Sequence, residues 1–180
     1  MAHPLMMDRN VSAIHEIAAE LRVEEIDLGA HSSPDGAVTI MFCDSGGSAE
    51  DPLSAVREVV ESHSGSIVKE QGDGFMAAFD SAHAGLRCAI AMQHTPGMEL
   101  RVGVHSGFVI QEADDFFGRN VILAARIADY AKGRQILISS ALKEHTETDP
   151  TFSYEFLDDV HFKGLLGEHK IYLVPWESAP

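Results

Sequence analysis

Two aspartates and one arginine stand where side-chain chemistry could be held rigidly. Asp73 lies within Ser66–Phe79 (SIVKEQGDGFMAAF), between Ile67 and Val68 on one arm and Phe75, Met76 and Phe79 on the other. Asp-Gly between two apolar runs signals a β-hairpin, because glycine tolerates the positive φ of a tight turn. Such a hairpin fixes a carboxylate at its corner, with Lys69 on the incoming strand; an ordinary solvating turn aspartate fits the same pattern. Asp44 closes the run Ala37–Asp44 (AVTIMFCD) and is followed by Ser45-Gly46-Gly47-Ser48. Backbone N–H groups of a glycine-rich turn at a strand exit can face an anion, although caps and turns also use aspartate there. Arg126 sits in Val121–Tyr130 (VILAARIADY), which is apolar nearly all round apart from Arg126 and Asp129. A helix of that kind is largely buried, so its arginine needs an anion, either an internal carboxylate or a bound ligand.

The elements that must position these groups follow from periodicity. Ala37–Asp44 is unbroken in apolar or β-branched character up to its last residue and reads as a central strand covered on both faces. Asp51–His63 reads as a helix with Leu53, Val56, Val59 and Val60 as its buried stripe, and Ala82–Gln93 as a second, with Leu86, Ala89 and Ile90 on one face. Leu100–Ile110 (LRVGVHSGFVI) reads as strand, Ser-Gly turn and strand, with His105 a structural turn residue. Gln111–Gly118 reads as a loop before the Val121–Tyr130 helix. Gln135–Ser139 is a strand, Ser140–Thr146 a serine-capped helix, and Tyr154–Val174 holds two or three strands around Lys163-Gly164 and Gly167. This order predicts an α+β fold, a ferredoxin-like βαββαβ core with an antiparallel sheet and helices on one face. Residues 1–36 form an N-terminal extension with a helix at Val11–Leu21 and a loop at Gly29–Gly36, and 37–175 the domain proper.

Composition narrows the partners. A formal net charge of −15, without a lysine- or arginine-rich run, makes nucleic acid and anionic membrane poor partners. No apolar run reaches the ~20 residues that a spanning helix needs, and no signal peptide opens the chain, so a cytoplasmic location is expected. Cys43 and Cys88 lack metal-knuckle spacing and read as reduced core thiols, and the ten histidines are scattered without a zinc pattern.

Four motifs in order resemble the catalytic domain of the class III nucleotidyl cyclases, the adenylyl and guanylyl cyclases. They are Phe42-Cys43-Asp44, Lys-x-x-Gly-Asp-Gly-Phe-Met over Lys69–Met76, Arg-x-Gly-x-His-x-Gly over Arg101–Gly107, and Phe-Gly-x-x-Val-x-x-Ala-Ala-Arg over Phe117–Arg126. The resemblance implies that Asp44 and Asp73 bind two divalent cations, Mg²⁺ or Mn²⁺, brought together because the first strand and the hairpin tip are neighbours. It implies that Lys69 and Asp115 select the purine, favouring ATP over GTP: an ammonium suits adenine N1 and a carboxylate its 6-amino group. It implies that Arg126 stabilises charge on the α-phosphate and that Lys163 meets the terminal phosphates. The implied activity is conversion of ATP to 3′,5′-cyclic AMP and pyrophosphate in a head-to-tail homodimer, with the aspartates from one chain and Lys69, Asp115 and Arg126 from the other.

Two departures bear on turnover. The asparagine usual four residues before the catalytic arginine is Ile122 here, and Asn120 is roughly 200° away around a helix, so it replaces that amide only if it caps a later-starting helix. Only one helix fits between Asp44 and Asp73 where the family carries two, and the missing one opens with phosphate-holding N–H groups. The alternative function is therefore a degenerate cyclase-homology domain that binds nucleotide or a partner without turnover.

Overall fold

The computed structural model describes residues 36–45, 52–108 and 114–177. The expected Val11–Leu21 helix, most of the turn after Asp44 and most of the segment before Asp115 lie outside these residues. Seven strands form one sheet: β1 (Ala37–Asp44), β2 (Ser66–Gln71), β3 (Gly74–Phe79), β4 (Arg101–Phe108), β5 (Ile136–Ser139), β6 (Glu155–Val160) and β7 (His169–Leu173), in the order β2-β3-β1-β4-β5-β7-β6. The four helices of the described residues are α1 (Pro52–Ser62), α2 (Ala82–Gln93), α3 (Asp114–Tyr130) and α4 (Ser140–Thr146). The segment β1-α1-β2-β3-α2-β4 is the expected βαββαβ unit, and the fold is of the mixed α+β type. Neighbouring strands are antiparallel except β4 and β5, whose parallel pairing needs a long crossover, supplied by α3.

Every residue of β1 is buried, as its unbroken apolar run requires, and its side chains alternate between two cores. Met41 and Cys43 pack with Val56 and Val60 of α1 and Leu86, Ala89 and Met92 of α2, while Val38, Ile40 and Phe42 pack with Val121, Ala124, Ala125 and Ala128 of α3. Helices α1, α2 and α4 thus share one face, whereas α3 covers the other, so the expectation of helices on one face holds for three of the four described helices. Leu123 and Ile127 of α3 enter a third cluster with Leu137, Phe162 and Ile171, which explains why this helix is apolar almost all round.

The Leu100–Ile110 stretch differs from its local reading. It is one strand, β4, running through Ser106-Gly107 without a turn, because β1 pairs with it along its whole length. Ser106 stands opposite Thr39, and their hydroxyls lie 2.7 Å apart. The glycines serve the approach of α3: a Cβ on Gly103 would lie 2.3 Å from the Ala128 nitrogen, and one on Gly107 2.5 Å from the Asn120 side chain. Helix α3 also starts earlier than its apolar pattern predicts, at Asp114, so Asp115 stands in its first turn and Asn120 is no cap.

Candidate active site

The hairpin places Asp73 by backbone geometry. Gly72 adopts φ +58°, the chain reverses over Gly72-Asp73, and Gly74 starts β3 opposite Asp44. The Ser45 N–H donates to the Asp73 carbonyl at 3.3 Å, tying the tip to the exit of β1. The two aspartates therefore meet at one end of the sheet. Asp44 is fully buried, and its register partner on β4 is Arg101. Arg101 Nε donates to Asp44 Oδ1 at 2.8 Å and Nη2 to Oδ2, a two-pronged, charge-assisted pair. Oδ2 of Asp73 is buried and has no hydrogen-bond partner.

An orphaned carboxylate oxygen on a hairpin tip tied to the strand end that carries a second, buried carboxylate fits a hard divalent cation. Among the described residues no group of three or more His, Cys, Asp or Glu side chains could hold a metal. Asp44 and Asp73 would be the protein's donors, a pair that suits an ion completing its shell with water and phosphate oxygens. Neighbouring Cys43 is inert: burial first, then the charges of Asp44, Cys88 and Asp73, push its thiol well above the ordinary range. Burial pushes Cys88 up to about 12.

A second group of residues lines an open cleft of about 540 Å³ formed by Ile122, Arg126, Asp129 and Tyr130 of α3 with Phe162, Lys163 and Gly164 of the β6–β7 turn. Arg126 Nη1 lies 3.8 Å from Asp129 Oδ2, the i,i+3 internal pair that an arginine in this helix calls for. Arg126, Lys163 and the apolar side chain of Ile122 thus line one cleft. Neither Asp44 nor Asp73 lines this cleft. Lys69 is half-buried on β2, immediately after a register shift between Ile67 and Lys69. Asp115 is placed only by its position in the first turn of α3.

Two groups were not assigned by sequence reasoning. Arg101 was visible as the first residue of a motif, but its partner depends on the β1–β4 register. His105, expected in a turn, is buried in mid-strand between α3 and α4: its Nδ1 lies 2.8 Å from Ser139 Oγ and its Nε2 3.1 Å from Asn120 Oδ1. The amide oxygen accepts from Nε2–H, so Nδ1 accepts from the serine hydroxyl, and the serine oxygen accepts the Leu142 N–H that caps α4. Asn120 thereby faces the sheet and does not stand in for an amide at position 122.

Burial lowers the His105 pKa to about 4, partly opposed by the Asn120 hydrogen bond. The folded chain therefore resists a proton that the unfolded chain accepts near pH 6.5. Stability from this group is full above that pH and is lost as pH falls towards 4, by about 3 kcal/mol. Urea unfolding at stepped pH is expected to show this loss, and His105→Gln to flatten it between pH 6.5 and 4.

Residues 49–175 match the adenylate and guanylate cyclase catalytic domain, and the chain belongs to that family. An uncharacterized protein of Mycobacterium tuberculosis is 31% identical over 126 residues, 60% of this chain and 44% of the relative. A Rhizobium meliloti protein named as a candidate adenylate cyclase is 31% identical over 127 residues, 63% of this chain and 21% of its own length. The chain thus spans less than half of these relatives. Among solved structures, the adenylate/guanylate cyclase/hydrolase of Silicibacter pomeroyi superposes with a TM-score of 0.66 at 24% identity, covering 79% of this chain and 98% of that one. The adenylyl cyclase CyaB of P. aeruginosa gives 0.64 at 22%, covering 77% and 93%. These likenesses establish the cyclase fold. Domains of this family act on nucleotides, commonly dimerise and are generally dependent on divalent metal. Among the described residues no helix is long and apolar enough to cross a membrane.

Proposed function

We propose that the domain is an adenylate cyclase, converting ATP to 3′,5′-cyclic AMP and pyrophosphate in a head-to-tail homodimer. The observation that supports this most is that the hairpin tip carrying Asp73 is tied to the exit of β1 where Asp44 stands, with Asp73 Oδ2 buried without a hydrogen-bond partner. These two side chains would hold the divalent ions, Mg²⁺ or Mn²⁺. When bound, such ions acidify the ribose 3′-hydroxyl and neutralise phosphate charge. In the reaction the 3′-oxygen forms a bond to the α-phosphorus and gives its proton to solvent. The bond from the α-phosphorus to the bridging oxygen breaks, and pyrophosphate leaves with the electron pair. Arg126 donates to the α-phosphate oxygens as charge accumulates there, and Lys163 meets the terminal phosphates. Lys69 donates to adenine N1 and Asp115 accepts from the 6-amino group, whereas guanine offers the opposite pattern. Separation of the carboxylates from the Arg126–Lys163 cleft favours a site completed by two chains.

A second reading, nucleotide binding without turnover, is favoured by two observations. Ile122 lines the cleft where an amide would orient the ribose, and α1 is the one described helix between β1 and β2. Cyclic AMP formation from ATP with Mn²⁺, run beside GTP, separates the readings. The proposal expects ATP to be preferred by ~10-fold or more, and Lys69→Glu to erase most of that preference. No cyclic nucleotide, with ATP still raising the melting temperature, would establish the second reading.

A further inference from the structure

We propose that Arg101 is a built-in counter-cation that occupies the Asp44 carboxylate in the metal-free chain and must be displaced before a divalent ion can use it. This rests on the reading of Asp44 and Asp73 as the cation site and concerns how that site is filled.

Asp44 has no exposed surface, and the Arg101 side chain that covers it is only 13% exposed. Both carboxylate oxygens accept from the guanidinium, through Nε and Nη2. A cation arriving from solvent therefore meets a carboxylate already neutralised and sealed. Asp73 differs: its residue is half-exposed, yet its Oδ2 is buried without a hydrogen-bond partner, on a tip tied to the strand end that carries Asp44. The asymmetry gives an order. An ion first engages Asp73, and Asp44 joins only as the guanidinium leaves.

The physical reason for such a device is the burial of Asp44. A buried carboxylate stripped of its partner is strongly destabilising, so a strand end meant for a cation needs a substitute charge when the ion is away. The ion–guanidinium exchange makes the intrinsic metal affinity weaker than two carboxylates would otherwise give. It also disfavours Mg²⁺, which surrenders its water reluctantly and prefers rigid octahedral geometry, relative to Mn²⁺.

The test uses the full chain, stripped with chelator and free of nucleotide, titrated with Mn²⁺ while unbound Mn²⁺ is read by electron paramagnetic resonance and the melting temperature is followed. Arg101→Met is expected to melt lower than wild type in chelator, to bind Mn²⁺ about 10-fold more tightly or better, and to recover most of the lost stability at saturating Mn²⁺. Arg101→Lys, which keeps the charge without the fork, is expected to fall between the two, and it decides the matter if the methionine variant does not fold. Equal or weaker Mn²⁺ binding by these variants, with Asp73→Asn still weakening the wild-type affinity, would overturn the proposal and leave the metal site standing. Mn²⁺ binding indifferent to Asp73→Asn would overturn the metal site and the proposal together.

Discussion

Asp73→Asn and Arg126→Ala are each expected to lose cyclic AMP formation, and an equimolar mixture of the two inactive proteins is expected to regain about a quarter of the wild-type rate. The single losses follow from chemistry. Asp73 carries the buried oxygen without a hydrogen-bond partner, which an amide cannot replace as an anionic ligand. Arg126 lines the cleft, and in the proposed reaction it would meet the developing phosphate anion; removing one such donor lowers kcat by ~10²–10³. Recovery on mixing follows from geometry. The cleft that holds Arg126 and Lys163 is lined by neither aspartate, and in the proposed head-to-tail dimer one chain would supply the carboxylates and its partner the arginine. Random exchange makes half of the dimers mixed. Each mixed dimer has one site with both residues intact and one with neither. Recovery near zero, with exchange verified by size-exclusion of differently tagged chains, would show that each site is built within a single chain.

The parts of this architecture encoded locally were legible, and those encoded by register were not. The Gly72-Asp73-Gly74 tip needs only neighbouring residues, and the hairpin stands as expected, with Gly72 at positive φ. Ala37–Asp44 announces a doubly covered strand through its own composition, and the meeting of Asp44 with Asp73 follows once β1 and β3 pair. Ser106-Gly107 misled because Ser-Gly is a turn signal by itself. In the sheet, Thr39 and Val38 stand opposite these residues, and the glycine makes room for Asn120. The same distant pairing hid the ion pair of Asp44 with Arg101, and it turned His105 from a turn residue into a buried link between α3 and α4. The face taken by α3 was also hidden, since a helix apolar on nearly all sides names no single partner. The roles of Lys69, Asp115, Arg126 and Lys163 rest on resemblance; the structure brings only Arg126 and Lys163 to one cleft.

Gly103→Ala is the substitution expected to separate positioning from stability most sharply. Its Cβ would lie 2.3 Å from the Ala128 nitrogen, 2.6 Å from its Cα and 2.8 Å from its Cβ, all backbone or near-backbone atoms that no rotamer change can move. Strand β4 cannot retreat, because Gly103 is held between Phe42 on β1 and Leu137 on β5. Helix α3 must therefore lift by about 1 Å, and it carries Arg126 two residues away and Ile122 on the same face. Overpacking of this kind destabilises by about 1–3 kcal/mol. A displacement of ~1 Å at a catalytic group lowers kcat by ~10². Gly85→Ala supplies the comparison: its Cβ would lie 2.8 Å from Thr39 Cγ2, on the face opposite α3, so it is expected to lower the melting temperature with little change in kcat. Assayed at a temperature where both variants are fully folded, Gly103→Ala is expected to retain about one hundredth of the wild-type kcat. Equal kcat values for the two variants would mean that the seating of α3 on β4 serves stability alone.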